Sequence, residues 1–483
     1  MITAVRSLFD TVYDGSIGRL GLDGLWEKID RSIKPGRLPL ERRDISIAIG
    51  LGLIGMAVCI WAFTQTQRID AINTHLSIFL QADIGRVADN MTSTGGAHAR
   101  TSVHPIASIL IYPFTAVLMA FGLGPIHAAA TLVVLIMGVN VALFSLIIRL
   151  LGLPRPVGAL FTVLFMASAS FVFWSGIIEL FPFAGFSLLL AMFMMFRIKT
   201  AHWAWWIVLN VLTLGLTTPN WVFGLIATAV RQKLKPFLVI TAASLAVVGV
   251  LAVVQNATFA KAGLFFNPKL VAYEMNYIQP TMEDRGDYEQ GWKPLSNLRS
   301  MYVTTVVAMP VDVEHQNGVE LVTTNQSTGF PKGELAPVIA VSAWIVLFGL
   351  GIWGAFRRPE LRLPLAGAGL MLLSQTALYS IYGEVTFLYS LHFMPLILLF
   401  ASCAWFAPYK SVAVGLASVV IAFGAINNEQ RLQETIETTN CLAGLESVQY
   451  WQSWDVLKSG VQRNANPDKP DFPPEDIAAC KVT

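Results

Sequence analysis

From Ile45 to Phe63 this chain runs without a single charge, and apolar stretches of similar length recur as far as residue 427. A helix needs about 20 predominantly apolar residues to cross the hydrocarbon core of a bilayer. The whole chain is 54% hydrophobic and 13% charged, where soluble domains carry roughly 25% charged residues. These features predict an all-α polytopic membrane protein. A formal net charge of +2 over 483 residues, with basic residues scattered in short clusters, argues against nucleic acid as a partner.

Crossings are expected near 45–66, 126–149, 157–176, 181–198, 202–217, 219–231, 236–256, 336–356, 363–383, 386–407 and 411–427, about eleven in all. The basic residues Arg37, Arg42, Arg43, Arg149, Arg155, Arg197, Lys199, Arg231, Lys233, Lys235, Arg357, Arg358, Arg362 and Lys410 can then all face the cytoplasm, as short-loop Lys and Arg do. This parity requires that the apolar segment 105–121 not cross, so it is read as a re-entrant or juxtamembrane helix on the outer side. It also makes 202–231 a hairpin whose tip, Thr217-Thr218-Pro219-Asn220, faces outward.

Five regions result. Residues 1–43 form a cytoplasmic amphipathic segment lying in the interface. Residues 44–256 form an N-terminal transmembrane module containing an outward loop at 67–125. Residues 257–335 form an extracytoplasmic loop, 336–427 the C-terminal transmembrane helices, and 428–483 an extracytoplasmic tail. Cys59 and Cys403 fall inside spans, whereas Cys441 and Cys480 share the outward tail and are candidates for a disulfide. No internal repeat or Gly-rich phosphate loop is present, and no polar region is long enough for a nucleotide-binding domain.

Charge at the membrane edge is costly and therefore informative. In the helix expected after the first span, Asp83, Arg86 and Asp89 recur three residues apart and share a face. A carboxylate so placed can serve as a general base, and a neighbouring guanidinium can hold a phosphate. The same spacing also suits a plain salt bridge on a solvated helix end, and spacing does not separate the two. Tyr379, Tyr382, Gly383, Glu384, Phe387, Tyr389 and His392 surround another outward turn. An interfacial aromatic belt accounts for its tyrosines; Glu384 and His392 are candidates for binding sugar or phosphate. The run from Met282 to Trp292, with Tyr288, reads either as a lid over a site or as a solvated loop.

This placement resembles the GT-C superfamily of polyprenyl-phosphate-sugar-dependent membrane glycosyltransferases, which includes protein O-mannosyltransferases and the aminoarabinose transferase of lipid A. Asp83, Arg86 and Asp89 match the family's acidic loop in order and spacing. His104-Pro105 stands where the family has a basic residue and Pro entering a juxtamembrane helix, and Glu179 resembles its later outward acid. Asn220, beside Trp221, stands where the family frequently carries Lys. The likeness covers roughly residues 45–260 and rests on short motifs.

It implies a GT-C-like fold and a polyprenyl-phosphate sugar donor. Asp83 would deprotonate an acceptor hydroxyl, with inversion at the anomeric carbon, and the acceptor would be a cell-envelope glycan, lipid or protein. Arg86, Arg100, Lys261, Lys269, Arg285 and Lys293 become candidates for the departing phosphate. Asp89, His104, Glu179, Asn220, Glu384, Tyr389 and His392 become further substrate contacts. The family also admits a divalent cation near Asp83, although no metal-ligand spacing is visible. The expected location is a bacterial inner membrane, with the N-terminus cytoplasmic and the site periplasmic. The competing classes are a lipid-linked glycan flippase, for which midplane charges and inverted repeats are missing, and an oligosaccharide ligase or polymerase.

Overall fold

A computed structural model describes residues 40–66, 78–198, 202–280, 293–316, 320–326, 328–331, 333–383, 385–445 and 479–480. Most of the interfacial segment 1–43, together with Arg285, the 282–292 run, Glu384 and most of the tail, lies outside the described residues. Among the described residues the architecture is helical, with one two-stranded hairpin.

In chain order the helices are α1 (Arg42–Thr66), α2 (Ile84–Thr92), α3 (Ala107–Ala120), α4 (Pro125–Leu150), α5 (Arg155–Ala167), α6 (Ala169–Trp174) and α7 (Phe181–Arg197). They continue as α8 (Trp203–Leu216), α9 (Trp221–Arg231), α10 (Leu234–Thr258), α11 (Pro268–Glu274) and α12 (Pro294–Arg299). The hairpin of β1 (Asp312–Gln316) and β2 (Glu320–Thr324) follows, then α13 (Leu335–Phe356), α14 (Arg362–Tyr379), α15 (Met394–Ser402) and α16 (Lys410–Gly444). Six described helices are long and apolar enough to cross a membrane, or seven if Thr386–His392 and Met394–Phe406, bent by 61° at their junction, form one span. The apolar helices α3, α5, α7 and α8 are shorter than this.

Without a hydrophobic drive inside lipid, small residues that permit close approach supply much of the packing. A Cβ added at Gly52 of α1 would meet the Gly138 carbonyl oxygen of α4 at 2.8 Å, so the two backbones touch where these glycines face each other. The pair is antiparallel. Asp44, at the start of α1, accepts from Nε of Arg149 at the end of α4 (2.9 Å) and from Nε of Arg155 (2.8 Å). Arg358 lies against Gly152 at this same end, and Arg231 donates from Nε to the Met195 carbonyl (2.7 Å). Arg149, Arg155 and Arg358 therefore collect at one end of the bundle. Helix α3 ends just before α4 begins, at the other end of the bundle.

Two spans differ from expectation. The stretch 157–176 is broken at Ser168, because the N–H groups of Ala169 and Ser170 turn aside to the carbonyls of Val306 (3.0 Å) and Thr305 (2.9 Å). The last helix does not stop at 427 but continues to Gly444. Its polar continuation is satisfied by other segments. Asn428 accepts from Ala308 N–H (2.7 Å) and donates to Val306 (2.9 Å), and Arg431 pairs with Glu434 (2.7 Å) and Glu334. The expected tail thus begins as helix.

Cys441, near the end of this helix, is joined to Cys480 by a disulfide. The bridge closes a separation of 39 residues, for which chain-entropy reasoning gives about 2–4 kcal/mol of stabilisation. Reduction, or the Cys441→Ser/Cys480→Ser double variant, is expected to lower the melting temperature by several degrees in a thermal-shift measurement while leaving activity below that temperature unchanged.

Candidate functional site

Opposite the basic end, α2 is entered through a strained turn. Leu80 (φ 48°) and Gln81 (φ 63°) both lie in the left-handed region, which costs a non-glycine residue about 1–3 kcal/mol. The surroundings hold the turn in place. Leu80 is fully buried, its N–H donates to the Thr323 hydroxyl of β2 (2.9 Å), and that hydroxyl donates to the Ile78 carbonyl (2.9 Å). The turn delivers Asp83 to the N-cap position of α2, but its carboxylate does not cap the helix. It takes instead a hydrogen bond from Nη2 of Arg86 at 2.5 Å, and its own backbone N–H donates to Oε1 of Glu179 at 2.7 Å.

Glu179 is 4% exposed. Burial, and then the charge of Asp83, push its carboxyl from the ordinary 4.5 up to about 7. Because the folded chain holds a proton that the unfolded chain releases, stability falls as pH rises through this window. Glu179→Gln is therefore expected to flatten the decline in melting temperature between about pH 5 and 7.5. A decline as steep as that of the unaltered protein would assign the titration elsewhere.

Arg100 stands across the cleft. Glu274 accepts from its Nε (3.0 Å) and Nη2 (2.9 Å), and also from the hydroxyls of Ser102 (3.0 Å) and Tyr382 (2.9 Å). The Tyr277 ring lies under the guanidinium at 4.9 Å. Burial is the largest influence on Arg100 and works against its charge, but Glu274 together with Tyr277, Tyr382 and Tyr389 outweighs it and holds the guanidinium above the usual arginine range. The segment carrying Glu274 and Tyr277 is tied to the turn after α14. Gly383 N–H donates to the Tyr277 carbonyl (2.9 Å) and Gln279 N–H to that of Ile381 (2.7 Å). Gly383 has φ 82°, and a Cβ there would meet the Tyr389 ring at 2.5 Å, so glycine alone fits.

The floor comes from the hairpin tip and the bent helix pair. His104 Nδ1 meets the Leu216 carbonyl at 2.8 Å. His392 Nδ1 meets Oδ1 of Asn220 at 3.0 Å and the Tyr379 hydroxyl at 3.1 Å. Tyr389 stacks on Tyr379 with ring centroids 4.8 Å apart. Together Asp83, Arg86, Arg100, His104, Glu179, Tyr379, Tyr382, Tyr389 and His392, with Thr217 and Pro219, line one cleft of about 600 Å³ counted to its open mouth.

Residues from widely separated loops, singled out in the sequence, thus converge. Asn220 stands behind the wall, fully buried, orienting His392. Asp89, Lys261, Lys269 and Lys293 are exposed and are not among the residues lining the cleft. Sequence reasoning missed Glu274, Tyr277 and the Leu80–Gln81 turn. Glu274 ends a short helix in which most other positions are apolar, a weaker signal than the acidic run that follows it.

Nη2 of Arg86 bonds one oxygen of the Asp83 carboxylate, and among the described residues no three His, Cys, Asp or Glu side chains converge. No family model, curated protein or solved structure matches this chain.

Proposed function

We propose that the chain is an integral membrane glycosyltransferase that moves one sugar from a polyprenyl-phosphate carrier to an acceptor hydroxyl on the outer side, with inversion. The observation that carries this reading is the cleft itself. It sets a carboxylate, Asp83, on a strained and braced turn, beside one guanidinium and facing another, at the end of the bundle opposite the basic residues. Strain of this kind persists where the surrounding structure over-determines it, and it concentrates at functional sites.

In the proposed step Asp83 takes the proton of the acceptor hydroxyl as that oxygen bonds to the anomeric carbon. The bond from this carbon to the phosphate oxygen breaks, and the electron pair leaves with polyprenyl phosphate. Arg86 and Arg100 stabilise the charge that grows there, as preorganised cations do in a partly dry cleft. Glu179, largely protonated below about pH 7, limits the negative charge beside Asp83.

Counting α5 with α6, the bent pair as one, and the short helices α7, α8 and α9, the described residues offer eleven candidate segments. We read these as eleven crossings with the cleft extracytoplasmic. Helices α8 and α9, of 14 and 11 residues, span about 21 and 17 Å, against about 30 Å of hydrocarbon. The tip between them would then sink below the membrane edge, where a lipid-linked phosphate can reach it.

The test supplies membranes containing the protein with polyprenyl-phosphate sugars and a crude envelope extract, and follows products by mass spectrometry. A sugar-sized increment that requires both donor and protein is expected. No increment with any donor would move the reading to transport.

A further inference from the structure

The cleft is lined by two chemically distinct sets of groups. Arg86 and Arg100 can only donate hydrogen bonds. In its floor are two imidazoles whose tautomers the fold dictates. The Leu216 carbonyl can only accept, so His104 carries its hydrogen on Nδ1. Asn220 donates from Nδ2 to the Ala184 carbonyl (2.9 Å) and to the Ser187 hydroxyl (3.0 Å), which leaves its Oδ1 toward His392. His392 therefore carries its hydrogen on Nδ1 as well. In a neutral imidazole with Nδ1–H, the other nitrogen is a lone-pair acceptor.

Among the described residues Nδ1 is the only ring nitrogen of either histidine with a hydrogen bond. Burial lowers His104 to about 4, so it stays neutral at physiological pH. His392 is 3% exposed, packed among the rings of Phe181, Tyr379 and Tyr389. A lone pair facing phosphate oxygen is repulsive, whereas facing O–H or N–H it is a hydrogen bond.

Building on the proposed donor, we infer that His104 and His392 form a subsite that accepts hydrogens from hydroxyl or amino groups of the transferred sugar and takes no part in holding the phosphate. This separates them in role from Arg86 and Arg100, with which they share the cleft. The sugar is thereby oriented with its polar edge to the hairpin tip and its phosphate to the arginines. Asn220 acts as a positioning residue, through the tautomer it imposes on His392.

The experiment measures binding of farnesyl phosphate and of farnesyl-phosphoryl mannose, glucose and galactose to the purified full-length protein in detergent. At least one sugar-bearing probe is expected to bind about tenfold tighter than farnesyl phosphate, the worth of one or two net hydrogen bonds. In His104→Leu that advantage should shrink to about twofold or less while affinity for farnesyl phosphate stays within about twofold of the unaltered protein. His104→Gln, whose amide oxygen can still accept, should recover part of the advantage and shows that the leucine result is not misfolding. An undiminished sugar advantage in His104→Leu overturns the subsite, as does an equal loss of affinity for both probes, or sugar-bearing probes that bind the unaltered protein no tighter than farnesyl phosphate. An unaltered protein that binds neither probe removes the donor reading itself, and the subsite with it.

Discussion

Asp83→Asn should reduce sugar transfer by about 10²–10⁴-fold, the usual contribution of a positioned base, with little change in melting temperature. The substitution retains an acceptor oxygen for Arg86 and leaves the backbone N–H that Glu179 receives untouched, so the loss falls on proton transfer. Donor affinity should hold nearly constant, since the carboxylate is needed when the acceptor attacks and not when the carrier docks. The assay compares product formation by mass spectrometry in matched membranes, with the thermal shift of both proteins as the folding control. Near-normal transfer by the variant would remove Asp83 from the chemistry.

The second large effect is expected at Glu274. Its carboxylate takes four hydrogen bonds, from Arg100, Ser102 and Tyr382, and so joins the loop after the first span, the segment 268–280 and the turn after α14. Glu274→Ala strands a mostly buried guanidinium, the side chains of Arg100 and Glu274 being 26% and 13% exposed. Loss of one partner from a buried pair costs about 3–5 kcal/mol, and with this residual exposure the lower value, about 3 kcal/mol, is expected. Activity should fall further than stability alone requires, because Arg100 loses the contact that aims it into the cleft. Glu274→Gln keeps acceptor oxygen and volume, and should recover stability better than activity. Chemical denaturation and initial rates on the same preparations separate the two effects. Full activity in Glu274→Ala would show that Arg100 needs no such positioning.

Both variants act on parts of the site that the linear sequence reveals unequally. Asp83, Arg86, Arg100, His104, Glu179 and His392 are recognisable because charge and imidazole beside apolar spans are rare and costly, and that rarity is a property of composition. Glu274 belongs to a loop already rich in acids, where one more carboxylate carries no signal. The β hairpin left a trace that went unread: Asn317-Gly318 lies between Val313 and Val322, a strong short-range signal for a tight turn between strands. Its consequence, Thr323 bracing Leu80, depends on a contact 243 residues apart that no local pattern encodes.

What the sequence determined by itself is the class of the molecule. Apolar run length selects membrane helices, and Cys441 and Cys480 could be paired because both lie in one polar tail. Tertiary structure alone decided where helices break and end, because those boundaries follow from which backbone groups find partners elsewhere. Ser168 interrupts a span because Val306 and Thr305 take the following N–H groups, and α16 outlasts its apolar stretch because Asn428 and Arg431 meet partners from other segments. The same holds for the cleft. The tautomers of His104 and His392 are set by a carbonyl and an amide oxygen 112 and 172 residues away, and hydrogen-bond direction is a property of the assembled pair, not of either residue.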